Sequence, residues 1–185
     1  MSVHTIDIGG LRRDLPIVPV GDEVSIAFLK LYGDLPLLEK AVTVLAERLD
    51  PDAEVILGPE SGGILLAHLL AQRTGLPCAV ARKKLRPHMV EPLRVPVRSI
   101  GTPGEQELIL DDADAALIGG RRVALVDEVV SSGGTLQALE ALVAAARGTV
   151  AQTLAVATEG EARPAVVSLV HLPVFPRDPG TGSAG

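Results

Sequence analysis

The 185-residue chain suits one domain, and its aliphatic composition can fill a sizeable core. Phe28, Phe175 and Tyr32 are its only aromatics and its net charge is −6, which argues against stacking on single-stranded nucleic acid and against general nucleic-acid binding. The single cysteine, Cys78, excludes an internal disulfide and fits a reducing cytosol. With no signal-type N-terminus and no apolar run of membrane-spanning length, the expectation is a cytoplasmic chain without membrane or nucleic-acid partners.

Val3, Ile6 and Ile8 fit an edge strand ending at Gly9-Gly10. Leu15–Val20 is apolar but holds Pro16 and Pro19, which predicts a loop or edge segment rather than a central strand. Leu38, Val42, Leu45 and Leu49 share one face of a predicted helix over Leu37–Leu49, ended by Asp50-Pro51-Asp52. Glu54–Gly58 reads as a buried strand, followed by the turn Pro59–Gly63 and a helix over Ile64–Thr74 that Gly75 stops. His68, inside that helix, is read as structural. Pro77–Ala81 is a third buried strand and ends in three cations, Arg82, Lys83 and Lys84.

Leu93–Ile100 alternates apolar and basic residues and can pair with Gln106–Leu110 around Gly101–Gly104, which predicts a two-stranded flap within the irregular stretch 85–117. Asp111–Gly120 fits a short helix and turn. Val123–Val126 is an apolar run leading into Asp127 and Glu128, and a helix from Leu136 runs to Gly148. Thr149–Thr158 and Val166–Leu172 are further strands separated by the polar turn Glu159–Arg163, and Leu172–Phe175 reads as the edge of a lid. The tail 177–185 is rich in Pro, Gly and Ser and predicts disorder, leaving 1–176 as one domain. Alternating strands and helices point to a three-layer α/β fold with a mainly parallel sheet.

The stretch Val123–Thr135 carries the chemistry. Ser131, Ser132, Gly133, Gly134 and Thr135 can bring backbone N–H groups close to a ligand at a helix N-terminus, which is a natural anion site. Just before it, the carboxylates of Asp127 and Glu128 can accept strong hydrogen bonds from hydroxyls. A ligand with a phosphate at one end and a vicinal diol nearby satisfies both, and a ribose 5-phosphate is such a ligand. The plain alternative is an ordinary strand, turn and helix whose acids cap the next element. The stretch resembles the phosphoribosyl-pyrophosphate (PRPP) signature of type I phosphoribosyltransferases. The resemblance implies ribose binding by Asp127 and Glu128 and 5-phosphate binding by Ser131–Thr135.

Glu60-Ser61-Gly62-Gly63 resembles the pyrophosphate loop of the adenine and xanthine members. It is close to the xanthine-type loop and lacks the arginine usual in the adenine type. The resemblance also implies a basic residue on the pyrophosphate, with Lys83 the choice among Arg82, Lys83 and Lys84. PRPP brings several negative charges beside two carboxylates. A like-charge pair near 4 Å costs about 1 kcal/mol in water and about 4 kcal/mol at an effective dielectric of 20. Cations are therefore needed, Mg²⁺ among them, held mainly by PRPP oxygens and water rather than by protein ligands.

A hood over the base is implied for residues 1–35, where the Phe-Arg-Asp-like stretch of adenine enzymes is absent. The flap of those enzymes ends in Glu-Tyr-Gly with a catalytic acid. Here Thr102-Pro103-Gly104 stands in its place, leaving Glu105 as the nearest candidate. Ser131 cannot act as a base at neutral pH, whereas hypoxanthine and guanine enzymes usually carry an aspartate there. The resemblance thus implies transfer of ribose 5-phosphate from PRPP to a purine, adenine first, by a homodimer. A PRPP-binding regulatory protein without turnover is the alternative. No Gly-x-Gly-x-x-Gly follows a strand and no Gly-Lys-Ser/Thr closes a glycine loop, which argues against dinucleotide enzymes and P-loop NTPases.

Overall fold

The computed structural model describes residues 2–97 and 106–177. Seven strands form the central sheet: β4 (Val55–Pro59), β5 (Cys78–Arg82), β6 (Leu93–Val97), β7 (Gln106–Leu110), β8 (Arg122–Val130), β9 (Thr149–Glu159) and β10 (Val166–Leu172). Their order is β10-β9-β8-β4-β5-β7-β6. The run from β10 to β5 is parallel, and β7 is antiparallel to both β5 and β6. Helices α1 (Leu35–Glu47) and α2 (Gly62–Thr74) cover one face, and α3 (Asp112–Ile118) and α4 (Gly134–Ala145) cover the other.

Strand alternation divides the core between the two faces. Ile56, Ala124 and Val126 pack with Leu38, Val42, Leu66 and Leu70 of α1 and α2. Val55, Leu57, Val123 and Leu125 pack with Leu139, Leu142 and Val143 of α4 and Ile118 of α3. Because both faces are covered, β4 and β8 are unbroken apolar runs, as expected for buried parallel strands. The three-layer, mainly parallel architecture is the one expected.

Helix α1 starts at Leu35, two residues before the predicted start. Asp34 caps it by accepting from the Leu37 N–H at 3.1 Å, and Pro36 occupies the first turn, where no backbone donor is needed. Arg13 of the N-terminal region holds the same carboxylate through two donors, at 2.6 and 3.0 Å.

A second sheet, of order β1-β2-β3-β11, joins β1 (Val3–Ile8), β2 (Leu11–Val20), β3 (Val24–Ala27) and β11 (Val174–Pro176). This corrects the loop reading of Leu15–Val20, which forms part of a ten-residue strand placed between β1 and β3, outside the central sheet. The neighbours are taken in turn: residues 11–16 pair with β1, and residues 17–20 pair with β3. Each part of β2 is therefore paired mainly on one side, which accommodates Pro16 and Pro19. Pro16 still accepts from the Phe28 N–H at 2.9 Å. The predicted lid edge near Phe175 is β11, so both ends of the described chain build this small sheet.

The flap strands pair as expected, from Leu93 opposite Leu110 to Val97 opposite Gln106. Its tip, including Thr102–Gly104 and Glu105, lies outside the described residues, as does most of the predicted tail.

Candidate functional site

The parallel strands end along one rim of the central sheet, where the turns leading into α2 and α4 also lie. Strand β8 runs three residues beyond Asp127, because Val129 and Val130 continue pairing with Ala157 and Thr158 of β9. The turn Ser131–Gly133 then opens α4. Gly133 takes φ +85° at the helix N-cap, a conformation that L side chains rarely adopt. Asp127, Val129, Val130 and residues 131–136 line a small open recess. One predicted ribose carboxylate and the whole predicted phosphate loop are thus brought together. None of the residues lining this recess is Lys or Arg.

Asp127 accepts the Glu128 N–H at 2.7 Å. Burial pushes its carboxyl up to about 7; the Glu128 N–H works against that rise, the Glu128 charge adds to it, and the Lys83 charge opposes it. Lys83, on the exposed segment after β5, is therefore within electrostatic reach of Asp127.

Glu128 occupies different surroundings. Adjacent strand residues face opposite sides of a sheet, and Glu128 projects toward α2. Its Oε1 accepts from the Leu31 N–H at 2.8 Å, while Oε2 lies against Gly62, in the space a Cβ there would take. Burial also raises its pKa, and the Leu31 N–H opposes the rise. Glu128 thus joins the segment entering α1 to the loop entering α2. Phe28 and Tyr32, which flank Leu31, are 46% and 41% exposed, unusual for aromatic rings that have no charge to keep them in water.

In the Glu60–Gly63 loop, the Glu60–Ser61 peptide is cis. The Glu60 carboxylate accepts from the Lys83 N–H at 2.9 Å and lies 4.0 Å from Arg82 and 3.7 Å from Arg86. Two guanidinium groups therefore face Glu60, while Lys83 and Lys84 remain exposed. His68 is exposed on α2 and does not line the recess. No group of three or more His, Cys, Asp or Glu side chains that could hold a metal ion occurs among the described residues.

Arg163 escaped the sequence reading. It lies between β9 and β10, and its Nε–H donates to the Ser131 carbonyl at 2.7 Å. The two residues are 32 positions apart, so nothing local in the sequence signals the contact.

Residues 30–171 match the family model described as "Phosphoribosyl transferase domain", and the chain belongs to that family. It is 33% identical over 165 residues to a hypoxanthine/guanine phosphoribosyltransferase of Methanobrevibacter ruminantium, covering 82% of this chain and 79% of that one. It is also 38% identical over 107 residues to the protein of that description from Methanothermobacter thermautotrophicus, and 35% identical over 107 residues to an orotate phosphoribosyltransferase of Methanopyrus kandleri. Each of those two matches spans 57% of this chain, and the chain covers about half of each relative's length, 52% and 47%.

An adenine phosphoribosyltransferase from Thermoanaerobacter pseudethanolicus superposes with a TM-score of 0.68 at 24% identity, covering 85% of this chain and 95% of that one. The Saccharomyces cerevisiae adenine phosphoribosyltransferase, solved with adenine and an imino-altritol bisphosphate, gives 0.65 at 20% identity, covering 90% and 93%. At those identities the likeness is one of fold. No helix among the described residues is long and apolar enough to cross a membrane.

Proposed function

We propose that this chain transfers ribose 5-phosphate from PRPP to a purine, with adenine the first choice, and releases pyrophosphate. The observation that carries this reading is the placement of Asp127 beside the main-chain turn 131–135 at the N-terminus of α4. The phosphate would sit on the turn, where amide donors and the helix dipole favour an anion. Ribose hydroxyls would donate to Asp127 and to Glu128, whose Oε2 is not engaged by the Leu31 N–H.

In the transfer, the bond from the anomeric carbon to pyrophosphate breaks and a bond to a purine nitrogen forms, with that nitrogen's proton released. Positive charge builds on the sugar as the bond to pyrophosphate lengthens, so the carboxylates stabilise the transition state by charge as well as by position. Lys83 and the Glu60–Gly63 backbone would hold the leaving pyrophosphate. Mg²⁺, held by substrate oxygens and water, would supply further neutralisation. Phe28 and Tyr32 offer exposed aromatic faces next to Leu31 for a planar base.

Ser131 supports adenine over hypoxanthine and guanine, because a hydroxyl does not take the purine proton at neutral pH. The names of the archaeal relatives favour hypoxanthine and guanine. Pyrophosphate release measured with PRPP, Mg²⁺ and each of adenine, hypoxanthine, guanine, xanthine, uracil and orotate decides among them. A second reading, PRPP binding without turnover, is favoured by Glu60, whose negative charge sits among the cations of the pyrophosphate side. PRPP binding by calorimetry with no pyrophosphate release from any base would establish that reading instead.

A further inference from the structure

We propose that Arg163 is a positioning residue of the phosphate turn: it fixes the Ser131 carbonyl and lays a positive charge along Gly133. The inference rests on the phosphoribosyl reading above and adds to it a residue outside the signature stretch. Arg163 sits on the turn between β9 and β10, whose own backbone is tied by the Gly160 N–H to the Leu172 carbonyl at 3.1 Å and the Val166 N–H to the Arg163 carbonyl at 2.9 Å. The guanidinium therefore projects from an anchored segment.

Two contacts define its role. The Nε–H bond to Ser131 is short, 2.7 Å, and charge-assisted. It holds the first carbonyl of the turn toward Arg163, so that carbonyl is not free to swing its negative end toward a bound anion. The rest of the guanidinium lies against Gly133. A Cβ built there would stand 2.8 Å from Nη1 and 3.4 Å from Nη2. The φ of +85° calls for glycine at 133, and a side chain there would push the guanidinium aside. Neither Nη makes a hydrogen bond or ion pair with another described residue.

The charge balance gives this geometry a use. A phosphate in the recess meets the Asp127 carboxylate and no cationic lining residue. Amides and the helix end carry only partial charge, about half an elementary charge for the helix. Arg163 supplies a full positive charge. It acts through the turn, so its effect should fall on ligands that carry the sugar phosphate and spare those held at the Glu60–Gly63 loop.

The test measures binding of ribose 5-phosphate and of pyrophosphate separately, by calorimetry, to the full chain and to its Arg163→Ala and Arg163→Lys variants. Losing one charge-assisted hydrogen bond and its charge should weaken ribose 5-phosphate by about tenfold. Pyrophosphate affinity should stay at the wild-type value, and the melting temperature should fall by only about 2–4 °C. Arg163→Lys, which keeps the charge without the planar fork, should fall between. Should the alanine variant fail to fold, Arg163→Gln carries the same measurement. Wild-type affinity for ribose 5-phosphate in the uncharged variants, or equal loss of both ligands, would overturn the inference alone. A wild-type chain that binds neither compound removes the phosphoribosyl reading and this inference with it.

Discussion

Asp127→Asn separates the acid's effect on folding from its proposed role in binding. The Asp127 carboxyl is raised to about 7 in the folded chain, chiefly by burial. An unfolded aspartate titrates near 3.9. Between about pH 4 and pH 7 the folded state keeps a proton that the unfolded state releases, so stability falls as pH rises through that window. A gap of about 3 in pKa, at about 1.4 kcal/mol for each, sets a ceiling near 4 kcal/mol. Water reaches this partly accessible group, which brings the expected penalty to about 2–3 kcal/mol above pH 7.

Asparagine has no charge to desolvate and keeps an oxygen for the Glu128 N–H. At pH 8 the variant should melt roughly 5–10 °C above wild type, taking about 2–4 °C per kcal/mol for a chain of this size. Near pH 4 the two should coincide. PRPP affinity at pH 8 should fall about tenfold or more, because a neutral amide is a weaker acceptor for ribose hydroxyls. Thermal scans from pH 4 to pH 8 and calorimetry with PRPP test both halves. A difference in melting temperature that is independent of pH, or a variant less stable at pH 8, refutes the burial argument. Unchanged PRPP affinity removes the ribose assignment.

Gly62→Ala places a methyl carbon on the Glu128 carboxylate, so the acid must leave its place beside Leu31; PRPP affinity should drop by about tenfold while circular dichroism stays native. Gly133→Ala combines an unfavourable φ with contact against Arg163, and urea titration should show a loss of about 1–2 kcal/mol together with weakened ribose 5-phosphate binding. Asp34→Ala removes the α1 cap and the partner of Arg13, and should cost about 1 kcal/mol or more in the same titration. Leu142→Ala, fully buried between α4 and the sheet, should cost about 2–5 kcal/mol with little effect on PRPP affinity once folded.

Local sequence carried the central sheet because its strands are covered on both faces. Runs such as Val55-Ile56-Leu57 and Val123–Val126 admit few other structures when glycine-bearing turns and helical repeats follow. The small sheet was hidden for the opposite reason. Strand β2 contains two prolines, β3 has four residues, and β11 pairs with β3 from the far end of the chain. Its order depends on pairings that no local pattern reveals. The glycine-bearing turn into α4, proposed for phosphate, was legible as a helix entry because its residues are contiguous. Arg163, and the Leu31 N–H that engages Glu128 from 97 residues away, are set by tertiary placement alone.

The same strand geometry that makes the acid pair recognisable also divides its work. Two adjacent residues on a strand cannot share a face, so Asp127 borders the recess at α4 while Glu128 turns to the side of α1 and α2. Its one firm bond is to the segment that carries Phe28 and Tyr32, and its other oxygen rests over the loop proposed for pyrophosphate. A sugar that recruits Glu128 shares the carboxylate with the Leu31 N–H, and that weakens the segment's tie to the central sheet's rim. Ribose binding and placement of the aromatic segment are then linked through one carboxylate. Glu128→Gln tests the link: the amide oxygen can still accept from Leu31, so the segment should stay placed, while ribose loses a charged acceptor. Intrinsic Tyr32 fluorescence should respond to PRPP in the wild type and respond less in the variant at equal occupancy. An identical response in both would show that the acid and the segment act independently.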